Sequence, residues 1–242
     1  MADLQQIIQE QYVWVQKHLG FETVYFSDLT DTEISKLAMF LGLIKHWTLK
    51  IDLVSPQSDE MLVSRHILDC VCSERIVASQ NIEANLNFVD VGSGAGLPGI
   101  VLAILDQKRV VHLVEPRQKR CFFLNEVKQE LKLENVLIHE LDFLTFSRMV
   151  KKITNSPQVK KKASSSLVYK KMTSTFQIGL IIARAIGMRE QYIKIAKGLI
   201  DPAGFVVEML GKVQSKQNIL TNSKLYNFLL PPDSAQRSLL FW

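Results

Sequence analysis

The residues best placed to do chemistry lie in the run Phe88-Val89-Asp90-Val91-Gly92-Ser93-Gly94-Ala95-Gly96-Leu97-Pro98-Gly99. An apolar stretch gives way to four glycines in eight residues, and Ile100, Val101, Leu102, Ile104 and Leu105 continue as an apolar helical pattern. Strand, glycine turn and helix together bring bare backbone against a nucleotide-like ligand. Two frames compete. Gly94 to Gly99 satisfies the dinucleotide pattern G-x-G-x-x-G. Asp90 with Gly92, Gly94 and Gly96 forms the other frame, with a carboxylate two positions before the glycines. A carboxylate there repels a pyrophosphate and suits a ligand bearing positive charge, such as the sulfonium and ammonium of S-adenosylmethionine. Pro98 also has no N–H to offer a phosphate at the start of the helix. The expected cofactor is S-adenosylmethionine.

Three further sites fall after apolar runs. Glu115 ends the second strand pattern, 23 residues beyond Gly92, where a carboxylate can accept from both hydroxyls of a ribose. Leu141-Asp142-Phe143-Leu144 follows the third, where an apolar side chain can cover an adenine and Asp142 can accept from its amine. Arg184 closes the run Leu180-Ile181-Ile182-Ala183 and needs a partner there, either the cofactor or a phosphate. Arg65, His66 and Asp69 are spaced to meet on one helix. They read as a local network orienting that helix on the sheet, or as groups at the mouth of the pocket. Lys119 and Arg120 open an amphipathic helix, suited to phosphate or simply to water. Cys70, Cys72 and Cys121 are odd in number and lack metal-ligand spacing, so they read as reduced packing residues, and no metal is expected.

The elements that must hold these residues change character along the chain. Residues 1–80 read as a helical cap. Thr30-Asp31-Thr32-Glu33 is a capping box ahead of Ile34, Leu37, Ala38, Leu41, Ile44 and Trp47, and a second helix is expected from Asp59 through Val77. Residues 81–242 read as a Rossmann-like domain. Strands are expected at Phe88-Val91, Val110-Val114, Val136-His139, Leu180-Ala183, Phe205-Met209 and Leu239-Trp242, with helices between them, the clearest at Gln118 to Leu131. Such alternation predicts an α/β fold, a mainly parallel sheet with helices on both faces.

Composition narrows the class further. The chain has 242 residues, 47% hydrophobic and 22% charged, which is ordinary for a globular protein. No apolar run reaches the length of a membrane span and the N-terminus lacks a signal-peptide layout, so no membrane partner and a cytoplasmic location are expected. Net charge is +5, yet 147–175 contributes +8 with no acidic residue and leaves the remainder at −3. That lysine-rich stretch reads as an inserted loop, serving either as a phosphate-binding arm or as a solvated segment. No apolar heptad argues for a dimer, so a monomer is expected.

Several motifs occur together in order. Met61-Leu62-Val63-Ser64-Arg65-His66-Ile67-Leu68-Asp69 resembles the R-H-I-L-D helix of the bacterial small-subunit (16S) ribosomal RNA guanine-N7 methyltransferase family (RsmG, or GidB). The run from Asp90 to Ile100, with Leu97-Pro98-Gly99, resembles that family's glycine motif. Lys119-Arg120 with Phe123-Leu124 resembles its K-R-x-x-F-L helix, and Ala183-Arg184-Ala185 stands where it has S-R-A. The resemblance implies a class I S-adenosylmethionine-dependent methyltransferase fold with a helical cap. It implies methyl transfer to N7 of one guanine in small-subunit ribosomal RNA, free or in a ribosomal particle. It places Gly92 and Leu97 at the cofactor's methionine end, Glu115 at its ribose, Phe143 and Leu144 at its adenine, and Arg184 in the binding pocket. The sequence departs from the family at Asp142-Phe143-Leu144, at Met209-Leu210-Gly211 with Lys212 one place late, and at Asp52-Leu53-Val54. Alternatives left open are another RNA or a small molecule as methyl acceptor, or a cofactor-binding ribosome-assembly protein without turnover.

Overall fold

The computed structural model describes residues 2–18, 28–155, 176–184, 189–211 and 223–242. Helices α1 (Ala2–His18) and α2 (Asp31–Thr48) come first. A third helical rod runs as α3 (Asp59–Leu62), a wider π turn (Val63–Leu68) and α4 (Asp69–Ala78). The capping box at α2 is present: the Thr30 side chain accepts from the Glu33 amide, and the Glu33 carboxylate accepts from the Thr30 amide at 2.8 Å. The expected second helix is therefore continuous from Asp59, with a π turn through Arg65 and His66.

The rest alternates β1 (Asn87–Val91), α5 (Gly99–Leu105), β2 (Val111–Val114), α6 (Gln118–Glu130), β3 (Val136–His139) and α7 (Phe143–Asn155). It continues with β4 (Ile178–Arg184), α8 (Arg189–Lys197), β5 (Phe205–Leu210), β6 (Lys224–Leu230) and β7 (Ala235–Phe241). The sheet order is β3-β2-β1-β4-β5-β7-β6. β1 to β5 are parallel, while β7 runs antiparallel to both β5 and β6. After β3 the chain crosses to β4 on the other side of β1, so the topological switch point lies between β1 and β4.

Two expectations change. β6 was not anticipated, although Tyr226, Phe228 and Leu230 are buried in strict alternation there. The inner parallel strands are mostly apolar on both faces, whereas this edge strand interleaves Lys224, Asn227 and Leu229 outward, which weakens a search for apolar runs. The lysine-rich stretch also begins as helix and not as loop. Residues 147–155 belong to α7, whose Phe146, Val150 and Ile153 are buried while Arg148, Lys151 and Lys152 are exposed. Residues 156–175, with the remaining lysines, lie outside the described residues, as do Ala185 and Lys212.

Helices cover both faces of the sheet. On one face α2, the π turn, α4, α5 and α6 share a single apolar cluster with Phe88, Leu113, Leu180, Ile182 and Val207. On the other, α7 and α8 pack on Val89, Val91, Ile181 and Val206. Within that second layer His112 and His139 stack with their rings 5.1 Å apart and share a contact of 2.9 Å between Nδ1 and Nε2. All three cysteines are free and buried. Among the described residues no helix is long and apolar enough to cross a membrane, and no cluster of His, Cys, Asp or Glu could hold a metal.

α5 is only seven residues long, and its seating depends on a missing side chain. A Cβ on Gly99 would overlap the Leu113 side chain and stand 2.7 Å from Asp90 Oδ2. Gly99→Ala therefore overpacks the β1–α5 junction, at a cost of about 1–3 kcal/mol. Thermal unfolding of the variant should show a melting temperature several degrees below wild type; an unchanged melting temperature would contradict this packing.

Candidate functional site

The glycine loop lies beside the switch point. Gly92, Gly94 and Gly96 all have positive φ, the region that favours glycine. At Gly92 an added Cβ would meet nothing within 4 Å, so the missing side chain leaves open space above the carboxyl end of β1. Gly94 turns its amide onto Glu115, which accepts at Oε2 over 2.9 Å and takes the Arg117 amide at Oε1 over 3.0 Å. Two backbone donors thus aim the buried Glu115 carboxylate and leave part of its acceptor capacity unused.

Asp90 is buried on β1. Its Oδ2 accepts from the Gly99 amide at 3.0 Å, closing the loop onto α5, while its Oδ1 has no hydrogen-bond partner. Burial pushes the Asp90 carboxyl up to about 7; the nearby Glu115 charge adds to the rise, and the Gly99 amide opposes it. A positive group arriving beside Oδ1 would favour the ionised form. Leu97 is buried in the adjoining cluster.

A cleft of about 300 Å³ opens next to Gly92, lined by Val91, Val114, Pro116, Asp142, Phe143, Leu144, Gln191, Tyr192 and Ile195. The expected trio Asp142, Phe143 and Leu144 therefore comes together with Gly92. Phe143 packs its ring 5.6 Å from that of Tyr192, and Leu144 is partly exposed. Asp142 has a further duty: its Oδ1 and Oδ2 accept from the Thr145 amide at 2.9 Å and hydroxyl at 2.7 Å. It caps the first turn of α7, and these bonds hold its carboxyl below the usual range. Sequence reasoning missed Gln191, Tyr192 and Ile195, which sit on one face of α8 and carry no motif.

Arg184, at the end of β4, is turned toward the π turn. Its Nη2 donates to the Arg65 carbonyl at 2.8 Å and lies 3.4 Å from Asp69 Oδ2. Arg237 of β7 reaches the same Asp69 oxygen at 3.7 Å, a partner that no local spacing could reveal. Arg184 Nη1 stands 3.5 Å from His66 Nδ1, so Nδ1 is the accepting nitrogen and Nε2 carries the proton. Burial, reinforced by Arg184, Arg65 and Arg237, lowers His66 to about 4, so it is neutral at pH 7. Arg65 points outward to Asp233 at 3.6 Å. In this structure Arg65, His66 and Asp69 form a network that fastens the helical layer to the sheet.

Lys119 and Arg120 lie apart from this cluster. They border a second cleft of about 290 Å³ with Ile51, Asp52, Arg117 and Gln118. Arg120 donates to the Asp52 carbonyl at 2.9 Å, and Lys119 is exposed.

Comparison with known proteins bears on this arrangement. The chain matches 42% of residues over 112 positions with "Ribosomal RNA small subunit methyltransferase G" of Christiangramia forsetii, covering 46% of this chain and 52% of that one. The protein of the same description from Clostridium botulinum strain ATCC 19397 is 35% identical over 109 residues, covering 45% and 44%. The matched segment thus spans about half the length of these curated relatives. Among solved structures, a point mutant of MtNAS in complex with S-adenosylmethionine superposes with a TM-score of 0.51 at 12% identity, covering 98% of this chain and 77% of that one. A second crystal structure of the same mutant gives 0.50 at 12%, covering 100% and 86%. These two show a shared fold, and the sheet order with β7 antiparallel between β5 and β6 is the class I methyltransferase arrangement. The model of the family described as rRNA small subunit methyltransferase G matches residues 33–232. The chain belongs to that family.

Proposed function

We propose that this chain binds S-adenosylmethionine at the carboxyl ends of β1 and β4 and methylates N7 of a guanine in small-subunit (16S) ribosomal RNA. The observation that carries the cofactor reading is Asp90: a buried carboxylate whose Oδ1 lacks a donor, beside a glycine with open space above it. That setting suits a ligand with positive charge and does not suit a pyrophosphate. When bound, the cofactor supplies a methyl group on a positively charged sulfur. Glu115, pre-aimed by the Gly94 and Arg117 amides, accepts from the ribose hydroxyls. Phe143 and Leu144 cover the adenine in the cleft, and Asp142 fixes their helix from its first turn. Gly92, with open space above it, and Leu97 shape the methionine end.

The proposed acceptor suits the rest of the site. Guanine N7 presents a bare lone pair and carries no proton, so its methylation needs no general base. The work left to the protein is alignment and exclusion of water. His66, neutral and held against Arg184, is consistent with this and is assigned a structural part. Arg184, reaching from β4 beside Gly92 toward the π turn, holds the helical layer at the pocket's mouth. The partner is small-subunit ribosomal RNA, free or in a particle, and the alternative acceptors are decided by the product.

Incubation of small-subunit particles from cells lacking this gene with methyl-labelled cofactor should place label in 7-methylguanosine of small-subunit RNA. Label in a different nucleoside, or none, would overturn the acceptor assignment. Glu115→Gln should weaken cofactor binding about 10- to 100-fold in calorimetry, the loss of a charge-assisted acceptor. The pH dependence has a defined sign. Only ionised Asp90 attracts the cofactor's positive groups, and its carboxyl lies at about 7 in the free protein. Cofactor affinity should therefore rise between about pH 6 and about pH 8, and Asp90→Asn should flatten that rise.

A further inference from the structure

A surface away from the cofactor cleft carries an unexplained combination of groups. The two most exposed large apolar side chains among the described residues are Leu49, 87% exposed, and Phe122, 64% exposed. Leu49 follows the last residue of α2, and Phe122 lies in the first turns of α6. The Phe122 ring sits 5.7 Å from the Trp47 ring, and the Trp47 indole N–H donates to Glu126 Oε1 at 2.8 Å, which holds the indole in place. Lys50 lies over the same indole, its ammonium 4.9 Å from the ring centroid. The second cleft adjoins this corner, with Arg117, Lys119 and Arg120 on its wall. α6 has no acidic residue in its first turn, and its N-cap, Arg117, makes no side-chain capping bond. Among the described residues the side chains of Arg117 and Lys119 have neither an ion-pair nor a hydrogen-bond partner.

An exposed ring is a cost in water unless something stacks on it. Cations without partners beside that ring narrow the choice, because lysine is depleted from the cores of protein–protein interfaces. Bases stacked on aromatic faces with phosphates on flanking cations are the mode by which proteins hold single-stranded nucleic acid. We propose that Phe122, backed by Trp47, is a stacking platform for an unpaired base of the RNA substrate, and that Arg117 and Lys119 hold the phosphates beside it. This rests on the RNA methyltransferase reading above. The platform is joined to the cofactor loop by Arg120, which bonds to Asp52 and lies against Gly94, 3.3 Å from where its Cβ would stand.

The test uses the whole protein and two readouts: methylation kinetics on small-subunit RNA, and direct binding to a fragment with unpaired bases. Phe122→Ala should raise KM for RNA and the fragment's Kd by about 5- to 100-fold, and Phe122→Trp should restore both. The ring is exposed, so its removal spares the core, and the Kd for S-adenosylmethionine, measured alongside, should stay at the wild-type value. Replacing Arg117 and Lys119 by Gln should reduce the slope of log K against log salt by about 1.4, the value for two phosphates on a single strand. Wild-type KM and Kd in Phe122→Ala would overturn the platform, as would equal losses in the Ala and Trp variants. Affinity lost only for assembled particles, with naked RNA bound normally, would assign the surface to a ribosomal protein and also overturn it. If the wild-type protein transfers no methyl group, the enzymatic reading falls, and the fragment-binding arm still decides the platform.

Discussion

The hydrogen bond from the Gly99 amide to the buried Asp90 carboxylate is the constraint on which the site depends. One oxygen fixes the start of α5 against β1, and the loop between them must then close through three residues of positive φ. That closure turns the Gly94 amide onto Glu115 and so couples the ends of β1 and β2. It also leaves the second Asp90 oxygen without a donor at the switch point. A larger residue at position 99 would push α5 off Leu113 and open the whole arrangement. Fold and site therefore share one small set of atoms. Residues that build the loop cannot be sorted into structural and functional groups.

A second fastening operates across the layers. Asp69 takes both Arg184 and Arg237, and Arg184 also holds the Arg65 carbonyl. Ser64, in the same π turn, donates to the Pro231 carbonyl in the β6–β7 turn. The π turn is thus tied to β4 and to the antiparallel edge at once. A wider helical turn presents its carbonyls and side chains at a spacing a regular helix would not give. Desolvation of Asp69 is costly and raises its carboxyl above the usual range, and the two arginines offset part of that cost.

Legibility in the sequence followed the physical range of each interaction. The glycine loop, Glu115 and the capping box at Thr30 are encoded by neighbours in the chain, and they stand where the spacing placed them. The five parallel strands were readable because both of their faces are buried and apolar residues dominate them, with only isolated polar groups such as Asp90, His112 and Glu208 between. β6 escaped because half of its side chains face water. The later turns of α7 were hidden by Arg148, Lys151 and Lys152 on its outer face, although Phe146, Val150 and Ile153 carry a helical period. The Arg237–Asp69 pair and the Tyr192 wall of the cleft are contacts across the fold, and one sequence offers no local signal for either. Phe122 passed unremarked beside Lys119 and Arg120 because an aromatic in an amphipathic helix is ordinarily core.

The stacked pair of His112 and His139 gives the chain an acid-sensitive seam. Burial holds His139 at about 4 and His112 well below its ordinary value, so both rings are neutral in the folded state. Their unfolded counterparts take up protons first, and this contribution to stability drains away as pH falls below about 6.5. Asp90 acts in the opposite sense: neutral when folded, it favours the folded state at low pH and withdraws that support as pH climbs toward about 7. Across mildly acidic conditions these two buried titrations pull against each other. A cation bound at Asp90 would cancel its half of the opposition. The loaded protein would then lose stability in mild acid more steeply than the empty one.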